Sequence, residues 1–225
     1  MTPLPSGPPP DPREHPRPIP EPPPRVRSGG GPTDAELWRQ AASDGGAEAF
    51  GTVFDRHARA VYNHCFRGTA DWATAEDLTS IVFLEAWRRR ADVRLERDSA
   101  LPWLLGVANN VVRNQHRARR RHRAALDRLP PPPAEPDHSD DVAGRLDDEK
   151  AMRRVLELVH RLPRADQDVL ALCVWDGLSY AEAAVALGVA VGTVRSRLAR
   201  ARGRLREPRP SALRRSPCAS SATIW

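Results

Sequence analysis

The chain has 225 residues, with 35 basic against 29 acidic side chains, a formal net charge of +6 and a sequence pI near 10.1. That length allows one or two small domains, and the positive balance suits a polyanionic partner. Cys65, Cys173 and Cys218 are too few and too scattered for a disulfide framework or a zinc site, no apolar run approaches the roughly 20 residues that span a bilayer, and the proline-rich start does not have the form of a signal peptide.

Residues 1 to 32 hold 13 prolines and almost no large apolar side chains, so they cannot bury enough surface to offset ordering entropy and read as a disordered extension. From Asp34 to Leu126 the pattern is helical. Ala47 to Arg67 places Phe50, Val53, Phe54, Val61, Tyr62 and Cys65 mostly at spacings of three, four and seven. His57, His64 and Cys65 lie close together here, but no second Cys or His pair completes a metal-ligand set. Asp71 or Thr74 opens the next helix, "AEDLTSIVFLEAWRRR", acidic in its first turn and basic in its last, as the helix dipole favours. Ile81, Val82, Phe83, Leu84 and Trp87 surround this helix on all sides relative to Leu78. It is either the centre of its own bundle or it reserves one side for a partner protein.

A third helix begins near Ser99, with Pro102 tolerated in its first turn. Its apolar half, "WLLGVA", runs into "NNVVRNQHRARRRHR". Asparagine hydrogen-bonds base edges and arginine grips phosphate or guanine, so this half suits nucleic acid; a solvated basic face is the plainer reading. Residues 127 to 145 form a linker, stiff at the prolines 130 to 133 and acidic beyond them. A second helical block covers 146 to 207, and 208 to 225 reads as another disordered tail.

In that second block Ser179 and Glu182 have capping-box spacing, and Gly188 stands where a left-handed residue ends a helix. The next helix starts at Thr193. Val194, Leu198, Ala201 and Leu205 share one narrow stripe on a wheel of about 100° per residue. Ser196, Ala199 and Gly203 lie opposite, Arg200 lies close by, and Arg197 and Arg204 take one flank while Arg195 and Arg202 take the other. Two helices joined by a tight turn, the second of them basic, form a helix-turn-helix pattern whose second helix enters the major groove. Lys150 is the only lysine, a bias typical of GC-rich coding sequence, so the placement of the arginines says more than their identity. Arg113 to Arg123 and Arg195 to Arg206 each contain six arginines: two basic helices, far apart in the chain.

Three segments, "AEDLTSIVFLEAW", "PWLLGVANNVVRN" and "GLSYAEAAVALGVAVGTVRSRLARARGRLR", in this order and separated by a linker, resemble the extracytoplasmic-function (ECF) sigma factors, and most of all actinobacterial ones. These are the small two-domain promoter-recognition subunits of bacterial RNA polymerase. The resemblance covers about Ala47 to Arg123 and Leu146 to Arg206. It implies that the helix from Asp77 to Trp87 binds the clamp helices of the polymerase's largest subunit, through Asp77, Leu78, Ser80, Ile81 and Leu84. Asp77 falls on a commonly used contact acid, while Ser80 and Ile81 replace a frequent glutamine and acid, giving a more apolar contact than usual. The minus-ten element is assigned to Asn109, Asn110, Arg113, Asn114, Arg117 and Arg120, with Asn110 on the family's asparagine, Asn109 where Arg is frequent and Asn114 where Asp is frequent. The minus-thirty-five element is assigned to Thr193, Arg195, Ser196, Arg197, Arg200, Arg202 and Arg204. Ala183 replaces the usual isoleucine of the first helix in this domain, which loosens packing.

The expected fold is therefore all-α: a sigma2-like bundle of three to four helices over 34 to 126, and a sigma4-like helix-turn-helix domain over 146 to 207. The implied partners are core RNA polymerase (clamp helices and flap), promoter DNA and an anti-sigma factor, with no membrane insertion of the chain itself. No cofactor or metal, no enzymatic activity and a cytoplasmic location are expected. A polymerase-independent helix-turn-helix regulator is the alternative, as is a sigma homologue that only sequesters partners. A regulator would bind a palindromic site as a dimer, yet the first block has no obvious receiver or ligand pocket. A sequestering homologue would have lost the basic positions that both helices keep.

Overall fold

Side-chain caps set the starts of three helices. The computed structural model describes residues 31–43, 46–95, 97–126 and 143–206, and every regular element among them is helical. Thr33 and Glu36 form a reciprocal capping box at the head of α1 (Asp34–Ala41), a helix additional to the three expected in the first block. α2 (Ala47–Thr69) ends at Ala70, whose φ of 51° is left-handed. The Asp71 side chain then accepts the Thr74 N–H at 2.8 Å and starts α3 (Trp72–Arg88). α4 (Leu101–Leu126) completes this part. The expected extension, linker and tail fall almost wholly outside the described residues.

α5 (Ala143–Val159) begins three residues ahead of the expected Leu146. α6 (Arg164–Leu170) runs into a π-helical turn, Ala171–Trp175. α7 (Tyr180–Leu187) opens on the Ser179–Glu182 capping box and closes on Gly188, whose φ of 63° is open to glycine at little steric cost. The Ala190 carbonyl accepts the Thr193 and Val194 N–H groups, so α8 (Val191–Arg206) starts two residues before Thr193.

Two apolar cores divide the side chains. In the first, Leu37, Trp38, Val53, Val61, Cys65, Leu78, Val82 and Phe83 surround Leu104, Ala108 and Val112 of α4. In the second, Val169, Leu172, Leu178, Tyr180, Ala183, Val194 and Leu198 pack with Leu101 and Leu105, also of α4. α4 is thus shared, one flank in each core. Ala201 joins a small third cluster with Val159, Leu162 and Leu170. Leu205, expected on the buried stripe of α8, is largely exposed, because the last turn of α8 projects past the helices that cover Val194 and Leu198. Cys65 and Cys173 are free and buried, and burial pushes their thiols up to about 12 and about 11, which leaves them unreactive.

Candidate nucleic-acid and polymerase interfaces

The recognition surface of α8 follows from its packing. Val194, Leu198 and Ala201 anchor the helix, which turns Arg195, Ser196, Arg200 and Arg204 to solvent and leaves Thr193, Arg197 and Arg202 half-buried. Asp166 of α6, itself buried, accepts from Arg204 at 2.6 Å and lies 3.9 Å from Arg200. Arg204 is therefore a tether between α6 and α8 as well as a surface charge. Arg195 sits over the Tyr180 ring, 5.8 Å from its centroid, which steers the guanidinium outward. Ser196 donates to the Thr193 carbonyl at 3.1 Å. The wheel reading and the solid geometry agree on the outward side of this helix.

On α4 the candidate residues divide. Asn110, Asn114, Arg117 and Arg120 face solvent, and the spacing of 110, 114 and 117 puts three of them on one helical face. Asn109 does not join them. It is only 7% exposed and donates to the carboxylate of Asp168 on α6, which also lies 3.6 Å from Arg113. Burial raises the Asp168 pKa, opposed by Arg113 and Asn109. The expectation that Asn109 is open to DNA is thus corrected for this conformation: a helix from the second group covers it.

The basic end of α4 faces the α5–α6 junction across a cleft of about 660 Å³. Four arginines (Arg119, Arg120, Arg123, Arg164) and two histidines (His116, His160) line it, with no carboxylate among the lining residues. The two imidazoles meet edge to face, 5.5 Å apart. Burial first, then neighbouring cations, pulls the pKa of each below the ordinary histidine value. Arg119 donates to Thr74 Oγ1 at 2.7 Å and lies 3.3 Å from Asp71. Crowded positive charge of this kind attracts phosphate. His116, His160 and Arg164 were missed by the sequence reading; only pairing α4 with the second block would have brought them together.

α3 resolves the two readings of its all-round apolar pattern. Leu78 is 3% exposed and packs in the first core with Val82 and Phe83, whereas Ile81 and Leu84 are each 48% exposed. Asp77, Ser80, Ile81 and Leu84, at relative positions 0, 3, 4 and 7, form one outward face. The helix is central on one side and open on the other. Leu78, expected as a contact, supports that face from beneath.

His57 and His64 are held by carboxylates: His57 lies 2.6 Å from Asp34, and His64 lies 2.7 Å from Asp176. Among the described residues no cluster of His, Cys, Asp and Glu has the form of a metal site, and no helix is long and apolar enough to cross a membrane.

A capped helix-turn-helix with a basic outer face, joined through a polar and basic α4 to a bundle that presents an apolar and acidic patch, defines a helical DNA-binding protein with a separate protein-docking face. Comparison with known proteins agrees. Residues 53–122 match the family described as Sigma-70 region 2, and residues 152–205 match Sigma-70, region 4. The ECF RNA polymerase sigma factor SigK of Mycolicibacterium vanbaalenii is 34% identical over 171 residues, covering 73% of this chain and 83% of that protein. The RNA polymerase sigma factor NccH of Alcaligenes xylosoxydans xylosoxydans is 28% identical over 180 residues, covering 77% and 94%. Among solved structures, CnrH in complex with the cytosolic domain of CnrY matches with a TM-score of 0.57 and 26% identity, over 76% of this chain and 94% of that one. The chain belongs to the sigma-70 family of RNA polymerase sigma factors, in its ECF subfamily. It is an alternative sigma factor.

Proposed function

We propose that this sigma factor divides promoter recognition between its two basic helices and carries its polymerase contact on α3. α8 sits in the major groove of the minus-thirty-five duplex, with Ser196, Arg197 and Arg200 nearest the bases and Arg195, Arg202 and Arg204 nearer phosphates. Asn109, Asn110, Arg113 and Asn114 receive an unstacked non-template base of the minus-ten element, and Arg117 and Arg120 hold the adjoining phosphates; trapping the extruded base offsets a few kcal/mol of unstacking. The outward face of Asp77, Ser80, Ile81 and Leu84 docks on the clamp helices of core polymerase. The sigma2-like unit spans 34 to 126 and the sigma4-like unit 146 to 207. The protein is a non-catalytic initiation factor that works in the cytoplasm, at the nucleoid when bound to polymerase. An anti-sigma factor restrains it, a reading supported by the likeness to CnrH, whose solved structure holds CnrY.

The observation that carries this reading is the solvent-facing arginine set of α8 over a fully buried Val194–Leu198–Ala201 stripe. Run-off transcription with core polymerase on a randomised promoter library tests it. The double variant Arg197→Ala, Arg200→Ala keeps core binding and loses selection of an upstream element; unchanged selection would remove α8 from that role. Asp77→Arg weakens core capture, and undiminished capture would take Asp77 out of the contact.

A further inference from the structure

The cleft between the basic end of α4 and the α5–α6 junction takes, Arg120 apart, no part in the promoter contacts proposed above. His116, Arg119, Arg120 and Arg123 line it from α4, at relative positions 0, 3, 4 and 7 of one helical face. His160 and Arg164 line the opposite wall, with Leu162 and Pro163 beside them. At about 100° per residue this face of α4 is turned by about 130° from the one that carries Asn110, Asn114 and Arg117, and Arg120 stands on the border between the two. The volume of about 660 Å³ falls within the roughly 300–1,000 Å³ of small-ligand sites.

Charge on these walls is largely uncompensated. Asp71 partly neutralises Arg119 at 3.3 Å, and Asp168 lies in the field of Arg164, but among the described residues Arg120 and Arg123 are in no ion pair. The cleft's own side chains feel the positive field: after burial, the largest cause, His160, Arg119 and Arg164 lower the proton affinity of His116, and Arg164 lowers that of His160. Like charges held together without counter-charge repel one another. An anion with several phosphoryl oxygens relieves that repulsion and meets guanidinium donors from both walls.

We propose that this cleft is a binding site for a free polyphosphate, a chain of phosphoryl groups such as inorganic tripolyphosphate or the tail of a nucleoside triphosphate. Arg120 and Arg123 hold it from one wall and Arg164 from the other, with His116 and His160 on its flanks. A chain of phosphoryl groups engages both walls at once, which gives it an advantage over orthophosphate. Phosphates on a nucleic-acid polymer are less favoured, because the volume is that of a nucleotide-sized ligand and not of a strand. Neither promoter assignment is needed for this site.

Isothermal titration calorimetry of the full chain tests it at about 0.15 M salt, where diffuse attraction fades beyond about 8 Å. The titrants are inorganic tripolyphosphate, orthophosphate, ATP and a mixed-sequence single-stranded DNA oligonucleotide. Tripolyphosphate binds one to one and at least about tenfold more tightly than orthophosphate. Arg123→Ala and Arg164→Ala, one from each wall and both exposed, each weaken it about tenfold. Arg121→Ala removes the same charge from the opposite side of α4 and changes it less than about twofold. Circular dichroism checks that helix content is kept, and should one variant lose it the other carries the test. ATP binding more tightly than tripolyphosphate supports the site with nucleotides as its source of phosphate, and equal affinities support it with inorganic chains. Absence of saturable binding, or equal losses in all three variants, would overturn the site and leave only diffuse charge. An oligonucleotide that binds more tightly than tripolyphosphate, and that loses affinity with Arg123→Ala and Arg164→Ala but not with Arg121→Ala, would overturn it in favour of nucleic acid.

Discussion

Asp176→Ala is expected to cost about 3 kcal/mol. The carboxylate and the His64 ring are each 4% exposed at 2.7 Å separation, and Arg67 approaches the other oxygen at 3.3 Å. Removing one partner of a buried pair costs about 3–5 kcal/mol, because the other is left without compensation. Arg67 is partly exposed and rehydrates, which places the loss at the lower end of that range. Because the pair joins α2 to the end of the π-helical turn, the loss falls on the docking of the two helical groups. Urea unfolding followed by tryptophan fluorescence is the assay, with Trp38, Trp72, Trp87 and Trp103 in the first group and Trp175, next to Asp176, in the second. At a slope of about 2 kcal/mol per molar, the midpoint falls by about 1.5 M. Asp176→Asn keeps an acceptor for the imidazole and loses about half as much. The pair His64→Leu, Asp176→Leu recovers part of the loss by apolar packing. A fall below about 0.3 M for Asp176→Ala, or simple additivity of the two single replacements, would refute this account of the pair.

Asp34 gives a pH signature. Burial opposes its ionisation, but hydrogen bonds from His57, the Ala100 N–H and Arg56 outweigh burial and hold its pKa well below the ordinary carboxylate value. A folded-state pKa below the unfolded one contributes stability that is present above the unfolded value and is lost as pH falls towards the folded one. Asp34→Asn should therefore flatten the acid limb of thermal stability below about pH 5; parallel profiles would contradict the assignment. Gly188→Ala places a Cβ in a left-handed conformation and should cost about 1–2 kcal/mol, read as a lower melting temperature and weaker duplex binding. Ile81→Ser with Leu84→Ser should change stability by no more than about 1 kcal/mol, since both side chains are half-exposed. The same pair should lower affinity for core polymerase at least about tenfold, measured by competition with the parent chain. Large destabilisation with unchanged affinity would reverse the assignment of that face.

Features governed by neighbours in sequence were legible: the Ser179–Glu182 box, the left-handed Gly188, the Asp71 cap and the Val194–Leu198–Ala201 stripe all follow from residue type and spacing. Features that depend on which helices meet were not. Nothing near Asn109 or Arg113 in the chain announces that Asp168 will face them, and the pairing of His64 with Asp176 spans 112 positions. Leu205 sits on the correct stripe yet protrudes, because a wheel reports angle and not how far the covering helices extend. The π-helical turn also left no periodic mark: its five residues, "ALCVW", read as ordinary buried helix.

The candidate sites differ in how much of them is already satisfied, and this orders the events of recognition. The α3 face proposed for polymerase and the α8 side proposed for upstream DNA are both open, so on these assignments neither contact needs a rearrangement. Of the residues proposed for the minus-ten element, Asn110, Asn114, Arg117 and Arg120 are open as well, whereas Asn109 is buried beside Asp168. On these assignments recognition starts from surfaces that are already exposed, and the Asn109 amide alone of the six has to leave a buried position before it can meet a base. Leu101 and Leu105, packed in the second core, hold that position, so it is set by the docking of the two helical groups and not by α4 itself.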